Sequence, residues 1–194
     1  FTCPWCYSKE LVLPEAIVRQ PKIPEAEFFD FLEQRKGLLE GVVICGGEPT
    51  TNKDLPEFIK RIKELSFLVK LDTNGSNPEM LKDLIDGKLV DYVAMDMKLP
   101  KVKYQEVLGI DVKNIEESVQ ILKDSGIDHE FRTTIVPTIH TKEDIIEIAK
   151  WIRGNPSTGS GRGRYYLQNF RAEKTVDPKF EKLKPYPDEY LKEI

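Results

Sequence analysis

Gly41-Val42-Val43-Ile44-Cys45-Gly46-Gly47-Glu48-Pro49-Thr50 is a short, β-branched apolar run that breaks on two glycines and a proline. A run of that length, closed by turn-forming residues, reads as a buried strand. Four further runs have the same character, at residues 67–71, 91–95, 131–136 and 165–167. Between them, residues 54–65, 78–85, 115–123 and 142–152 carry apolar side chains at three- and four-residue spacing, which predicts helices. Asn77-Pro78 opens one of these and Thr141-Lys142-Glu143-Asp144 another, each with the capping residues and early acids that a helix start needs. A further amphipathic helix is expected over 25–39, and a tail with a short helix over 182–194. Strand and helix thus alternate through five units, which predicts an α/β fold with parallel strands and right-handed crossovers, as an open sheet or a barrel-like one.

The chain has 194 residues, which suits a single domain over 1–194. Its 29 basic residues are interspersed among 33 acidic ones for a net charge of −4, so no basic stripe points to nucleic acid and none to a membrane surface. Neither a long apolar run nor a cleavable signal is visible, and the expected location is cytoplasmic. Residues 154–163, Gly-Asn-Pro-Ser-Thr-Gly-Ser-Gly-Arg-Gly, read as a flexible Gly/Ser-rich loop or an engineered linker, because no strand precedes and no helix follows to make a phosphate cradle.

Chemistry concentrates elsewhere. Cys3 and Cys6, in Phe1-Thr2-Cys3-Pro4-Trp5-Cys6-Tyr7, form a CxxC pair that fits half a zinc site, a dithiol, or part of an iron–sulfur ligand set. Zinc would need two more ligands, and Cys45, His129 and His140 show no ligand spacing. Gly46-Gly47-Glu48 ends the first visible strand, with two bare residues that let a ligand approach the backbone and a carboxylate suited to an amino group.

Together these two segments resemble the radical S-adenosylmethionine (SAM) superfamily, in which CxxxCxxC binds a [4Fe-4S] cluster and a Gly-Gly-Glu-Pro strand end binds the SAM amino group. The Cys3 and Cys6 pair matches the last two cysteines; the first would fall two positions before Phe1. The resemblance implies a partial (β/α)6 TIM-like barrel whose first strand also precedes this chain, so that the chain by itself is expected to lack an intact cluster and to be inactive. Cys45 is expected to be a small buried strand-end residue rather than the third ligand.

The likeness runs on through Leu71-Asp72-Thr73-Asn74-Gly75 and Met95-Asp96-Met97-Lys98, in the manner of the activases that install a glycyl radical on a partner enzyme, and covers nearly all of residues 1–170. It implies that SAM is bound by Gly46, Gly47, Glu48, Asp72, Thr73, Asn74, Asp96, Lys98, Arg132 and Gln168, and that Cys3 and Cys6 ligate the cluster. Asp72 and Asp96 are candidates for a monovalent cation beside the SAM carboxylate, with helix capping as the alternative. Lys98 and Arg132 are candidates for pairing with that carboxylate or the incoming peptide. His140 reads as a loop histidine beside a helix cap, or else as a residue facing the site. Gln168 and Asn169 end a strand resembling that of anaerobic ribonucleotide reductase activases.

The implied reaction cleaves SAM reductively at the cluster, with an electron from flavodoxin or ferredoxin, and removes hydrogen from a glycine of a partner glycyl radical enzyme. These residues orient the cofactors; no catalytic acid, base or nucleophile is called for. Ribonucleotide reductase is the expected partner, with pyruvate formate-lyase close behind. Two readings from other classes stand beside this one, a dithiol oxidoreductase using Cys3 and Cys6 and a docking module without turnover.

Overall fold

The five predicted strands form, and they pair in the order in which the chain makes them. The computed structural model describes residues 1–153 and 163–193. Along the chain these give α1 (Lys9–Val12), α2 (Pro14–Ile17), α3 (Glu25–Glu33), β1 (Gly41–Ile44), α4 (Leu55–Glu64), β2 (Leu68–Thr73), α5 (Pro78–Asp86), β3 (Tyr92–Asp96), α6 (Lys113–Ser125), β4 (Asp128–Ile135), α7 (Lys142–Ile152), β5 (Gly163–Asn169) and α8 (Asp188–Glu193). The sheet order is β1-β2-β3-β4-β5, and every neighbouring pair is parallel. A right-handed crossover that steps in one direction each time lands on the same side of the sheet each time. That singly wound order makes the sheet part of a barrel, and it decides between the two architectures the sequence left open.

Side-chain alternation follows from this. Val69 and Leu71 of β2, Val93 and Met95 of β3, and Phe131 and Ile135 of β4 belong to one buried core with Ile59 and Ile62 of α4, Leu81 and Leu84 of α5, Val119 and Leu122 of α6, and Ile148 of α7. The intervening residues, Lys70, Asp72, Tyr92, Asp96, Glu130, Arg132 and Thr134, are only partly buried. Parallel strands covered on both faces read as continuous apolar runs; here the helix-free face is polar. Register sets Asp96 beside Arg132 and Thr134 beside Gln168, so these side chains meet across strands.

Some boundaries move. The helix expected over 25–39 ends at Glu33, and the backbone N–H groups of Arg35 and Lys36 turn back to the carbonyls of Leu32 and Glu33. Leu38 and Leu39 are exposed, so helix beyond Glu33 has no apolar face to bury. Of the predicted 154–163 loop, only Gly163 is described, as the first residue of β5; the rest lies outside the described residues. Among the described residues no helix is long and apolar enough to cross a membrane.

The start of α7 behaves as its sequence predicts. Thr141 and Asp144 form a reciprocal capping box, and Asp144 also takes a 2.6 Å hydrogen bond from Lys103. Burial alone would raise the Asp144 carboxyl, but Lys103 and the Thr141 cap outweigh it and hold the group below the usual carboxylate range. Its stabilising contribution is therefore complete above the unfolded value of about 3.9 and is lost as pH falls through the lower folded value. Asp144→Ala is expected to lower the unfolding free energy by about 2 kcal/mol at pH 7. In urea titrations the gap from the parent protein should narrow below about pH 4.

Candidate cofactor site

Glu48 joins the ends of β1 and β2. Its Oε1 accepts hydrogen bonds from the Thr50 N–H (3.2 Å), the Thr50 hydroxyl (2.6 Å) and the Thr73 hydroxyl (2.7 Å), while Oε2 accepts from the Asn74 N–H at 2.7 Å. Thr73 in turn accepts from the Gly75 N–H, and Asn74 from the Ser76 N–H. The sequence marks Glu48 as a fixed carboxylate suited to an amino group; in the structure its oxygens also fix two strand ends. The glycines have local roles as well. Gly46 has φ +142°, a region that favours glycine, and a Cβ on Gly47 would lie 2.4 Å from the Leu11 carbonyl oxygen. The bare backbone of Gly47 thus makes room for α1, and both glycines also line the cavity beside it.

Beside this clamp runs a chain of ion pairs across the polar face. Arg132 donates from Nε to Asp96 Oδ1 at 3.0 Å and from Nη1 to Asp72 Oδ2 at 3.1 Å. Lys98 Nζ donates to Asp96 Oδ2 at 2.9 Å. Deeper in, Lys70 lies 3.5 Å from Asp72 Oδ1 and 3.4 Å from Glu130, whose second oxygen accepts from the Tyr92 hydroxyl at 2.9 Å. Burial alone would raise the Asp96 carboxyl, but the Lys98 and Arg132 charges outweigh it and hold it below its usual range. Burial would likewise lower Lys98, and Asp96 outweighs that to push the ammonium up. Both groups stay charged. Burial, helped by the bond to Glu130, pushes Tyr92 up to about 12.

Cys3 and Cys6 sit on one tight turn, closed by a 3.0 Å bond from the Cys6 N–H to the Cys3 carbonyl. Cys3 is buried, and burial pushes its thiol up against the pull of Lys98. Cys45 is exposed, contrary to the expected buried position, because the chain leaves the sheet at Ile44 and the Gly46-Gly47 turn carries no side chain to cover it. Among the described residues no three His, Cys, Asp or Glu side chains converge on one point as metal ligands, so Cys45 does not complete a set with Cys3 and Cys6. His140 is the loop histidine expected, but a buried one, hydrogen bonded on both ring nitrogens.

The strand-end clamp, the Asp72–Arg132–Asp96–Lys98 ion pairs and the three cysteines border one cavity of about 730 Å³, a size typical of cofactor sites. Its lining brings together every predicted site residue: Cys3, Cys6, Gly46, Gly47, Glu48, Asp72, Thr73, Asn74, Asp96, Lys98, Arg132 and Gln168. Asn169 also lines it. Lys70, Tyr92 and Glu130, which brace the ion-pair chain from below, escaped the sequence reading. Their signal was the period-two alternation of Lys70 with Asp72 and of Glu130 with Arg132, which marks a face without helices.

A profile of the radical SAM superfamily matches residues 1–152 of this chain. The chain belongs to the radical SAM superfamily. Two proteins of Methanocaldococcus jannaschii named as candidate glycyl-radical enzyme activating enzymes are similar to this radical SAM chain, one 36% identical over 196 residues and the other 29% over 203. The matches take in 96% and 100% of the chain and 75% of each relative. Streptococcus suis SuiB bound to S-adenosylmethionine shares the fold with a TM-score of 0.66 at 18% identity, over 88% of this chain and 38% of SuiB. AnSMEcpe with bound AdoMet does so at 0.59 and 17%, over 87% of this chain and 48% of its own. The chain therefore spans less than half the length of these two structures, and at such identities the likeness is one of fold.

Membership in the superfamily implies a [4Fe-4S] cluster and SAM, and the residues present fit both. The Cys3–Cys6 turn puts two thiol-bearing residues on the cavity wall. Asp72 Oδ1 and Asn169 Oδ1 are buried acceptors with no hydrogen bond, on residues that border the cavity, where the amino and hydroxyl donors of SAM have need of acceptors. A monovalent cation fits less well. Three of the four carboxylate oxygens of Asp72 and Asp96 are already bonded to Arg132 or Lys98, and the fourth, Asp72 Oδ1, lies 3.5 Å from the Lys70 ammonium.

Two outcomes are expected. Glu48→Gln sets an amide N–H₂ against backbone and hydroxyl donors whichever way the side chain turns, and should lower the unfolding free energy by about 1–3 kcal/mol in denaturant titrations. In the cluster-free chain iodoacetamide should alkylate Cys45 first and Cys3 last, as followed by peptide mapping over time.

Proposed function

We propose that this chain is the SAM- and cluster-binding core of a glycyl-radical-enzyme activase. The observation that carries the reading is the convergence of the Cys3–Cys6 turn, the Gly46-Gly47-Glu48 strand end and the Asp72, Asp96, Lys98 and Arg132 network on one cavity. The names of the two Methanocaldococcus relatives support the activase class. Cys3 and Cys6 would hold the cluster, with a third ligand outside the described residues. When bound, the cluster and SAM supply reductive cleavage of a sulfonium carbon–sulfur bond.

The protein's own part is to bind and orient. Glu48 holds the rims of β1 and β2 in register, so that the peptide groups of Gly46 and Gly47 and the side chains of Asp72, Thr73 and Asn74 meet SAM as one preformed surface. Lys98 and Arg132 remain charged and present donors for the SAM carboxylate; Asp72 Oδ1 and Gln168 take up amino, hydroxyl or adenine donors. Fixed dipoles and charges of this kind need no reorganisation when the reaction begins. The partner is a glycyl radical enzyme, with anaerobic ribonucleotide reductase the first candidate and pyruvate formate-lyase the second. Flavodoxin or ferredoxin would supply the electron in the cytoplasm.

A dithiol oxidoreductase would account for Cys3 and Cys6 but leaves the Glu48 clamp and the Asp72, Asp96, Lys98 and Arg132 network on the same cavity without a role.

The complete protein that contains this chain, reconstituted anaerobically with iron and sulfide, is expected to give a reduced-cluster electron paramagnetic resonance signal that shifts on addition of SAM. Cys3→Ser or Cys6→Ser should abolish it. Adding each glycyl radical enzyme in turn then identifies the one on which a glycyl radical appears. A protein that takes up no iron and instead cycles a Cys3–Cys6 disulfide refutes the activase reading, and binding of a glycyl radical enzyme without SAM cleavage leaves only a docking role.

A further inference from the structure

Lys98 lies beyond the last ladder pair of the sheet. The final register partners of β3 and β4 are Asp96 and Arg132, followed by one bond from the Met97 N–H to the Arg132 carbonyl. Past that point the backbone of a buried segment has to find other partners. At Lys98 both peptide groups find side chains. The Lys98 N–H donates to the Tyr104 hydroxyl at 3.0 Å, and the Lys98 carbonyl accepts from His140 Nε2 at 2.8 Å. The two rings come from different segments, Tyr104 from the single π-helical turn after β3 and His140 from the β4–α7 loop, and both are buried.

The state of the His140 ring is fixed by its neighbours. Its Nδ1 accepts from the Val136 N–H at 3.0 Å, and an amide N–H only donates. The Lys98 carbonyl only accepts, so the ring proton sits on Nε2. The ring also meets the edge of Trp5, with centroids 6.3 Å apart and planes at 80°. Trp5 stands between Cys3 and Cys6. One imidazole thus touches the backbone of the residue that carries the cavity's ammonium and the aromatic residue inside the cysteine turn, two segments more than ninety positions apart in the chain.

We propose that His140 is a positioning residue that fixes Lys98 and the Cys3–Cys6 turn relative to each other, with Tyr104 as the second pin on Lys98. Neither ring borders the cavity, so both act through Lys98 and the turn. The proposal rests on the reading that Lys98 faces SAM and that Cys3 and Cys6 hold the cluster. Filling the place of either backbone partner by water would satisfy the hydrogen bonds but leave the direction of the Lys98 side chain free; two rigid rings remove that freedom, which is what a preorganised charge requires.

Two amide substitutions separate the halves of the histidine. The glutamine introduced by His140→Gln reaches as far as the imidazole Nε2 and donates to the Lys98 carbonyl, whereas the asparagine of His140→Asn reaches only as far as Nδ1 and accepts from Val136. The complete protein with its reconstituted cluster serves for the test, with SAM affinity read from the spin-signal shift and iron content and thermal midpoint measured alongside. His140→Asn and Tyr104→Phe are each expected to weaken SAM binding about tenfold, or about 1.4 kcal/mol, with iron content unchanged. His140→Gln should recover most of that loss. In the cluster-free chain, nitrogen-15 spectra should show the His140 proton on Nε2 and protected from exchange. Equal losses for the two amide variants that track the thermal midpoint, or wild-type SAM affinity in all three variants, overturn the positioning role while leaving the activase reading intact. A wild-type cluster that does not respond to SAM overturns that reading, and the positioning role with it.

Discussion

Everything in this molecule follows from the fact that successive crossovers step the same way across the sheet. The crossover helices are thereby confined to one face, and the strands have to serve two solvents at once, a hydrocarbon interior on the helical side and a wet concavity on the other. Val69, Leu71, Phe131 and Ile135 answer the first requirement, and Lys70, Asp72, Glu130 and Arg132 the second. The polar face has no crossover helix to hold it in shape. It is held instead by its own ion pairs and by Glu48, whose carboxylate does for two strand ends what a ladder does for strand middles.

Such a site is rigid because its polar groups are already satisfied by one another. Charged pairs that are partly buried and bonded at more than one point lose less to solvent screening than isolated surface pairs, and they keep their geometry when solvent or ligand changes. The cost is that a ligand must compete for atoms already in use. Asp72 is the exception, since one of its buried oxygens accepts no hydrogen bond. An unsatisfied acceptor in this setting marks where the network is open to a donor from outside.

Much of this was legible in the sequence. The five strands, the capped start at Thr141 and the grouping of motifs at strand ends all depend on local patterns of a few residues, and the structure places the named side chains on one cavity. What could not be read depended on contacts between segments far apart in the chain. Nothing near Glu48 in sequence announces that Thr73 and Asn74, 25 and 26 positions on, are brought against it. Gly47 does not announce in sequence that the Leu11 carbonyl packs against it. Cys45 has the sequence neighbours of a core residue, yet the strand stops one position short of it. His140 has nothing near it in sequence that announces Lys98 or Trp5 as partners.

The chain of ion pairs has a kinetic side. Glu48, Asp72 and Asp96 share the cavity wall with Lys98, Arg132 and Arg171, three carboxylates against three cations, so the side-chain charges that line the cavity cancel. A cavity of that kind projects little field beyond about one Debye length and does little to draw a charged molecule in from solution. Ligands are then told apart after arrival, by whether their own charges can replace those of the network one for one. Such a site trades speed of capture for discrimination, and the arrival of its ligands should be indifferent to the salt around it.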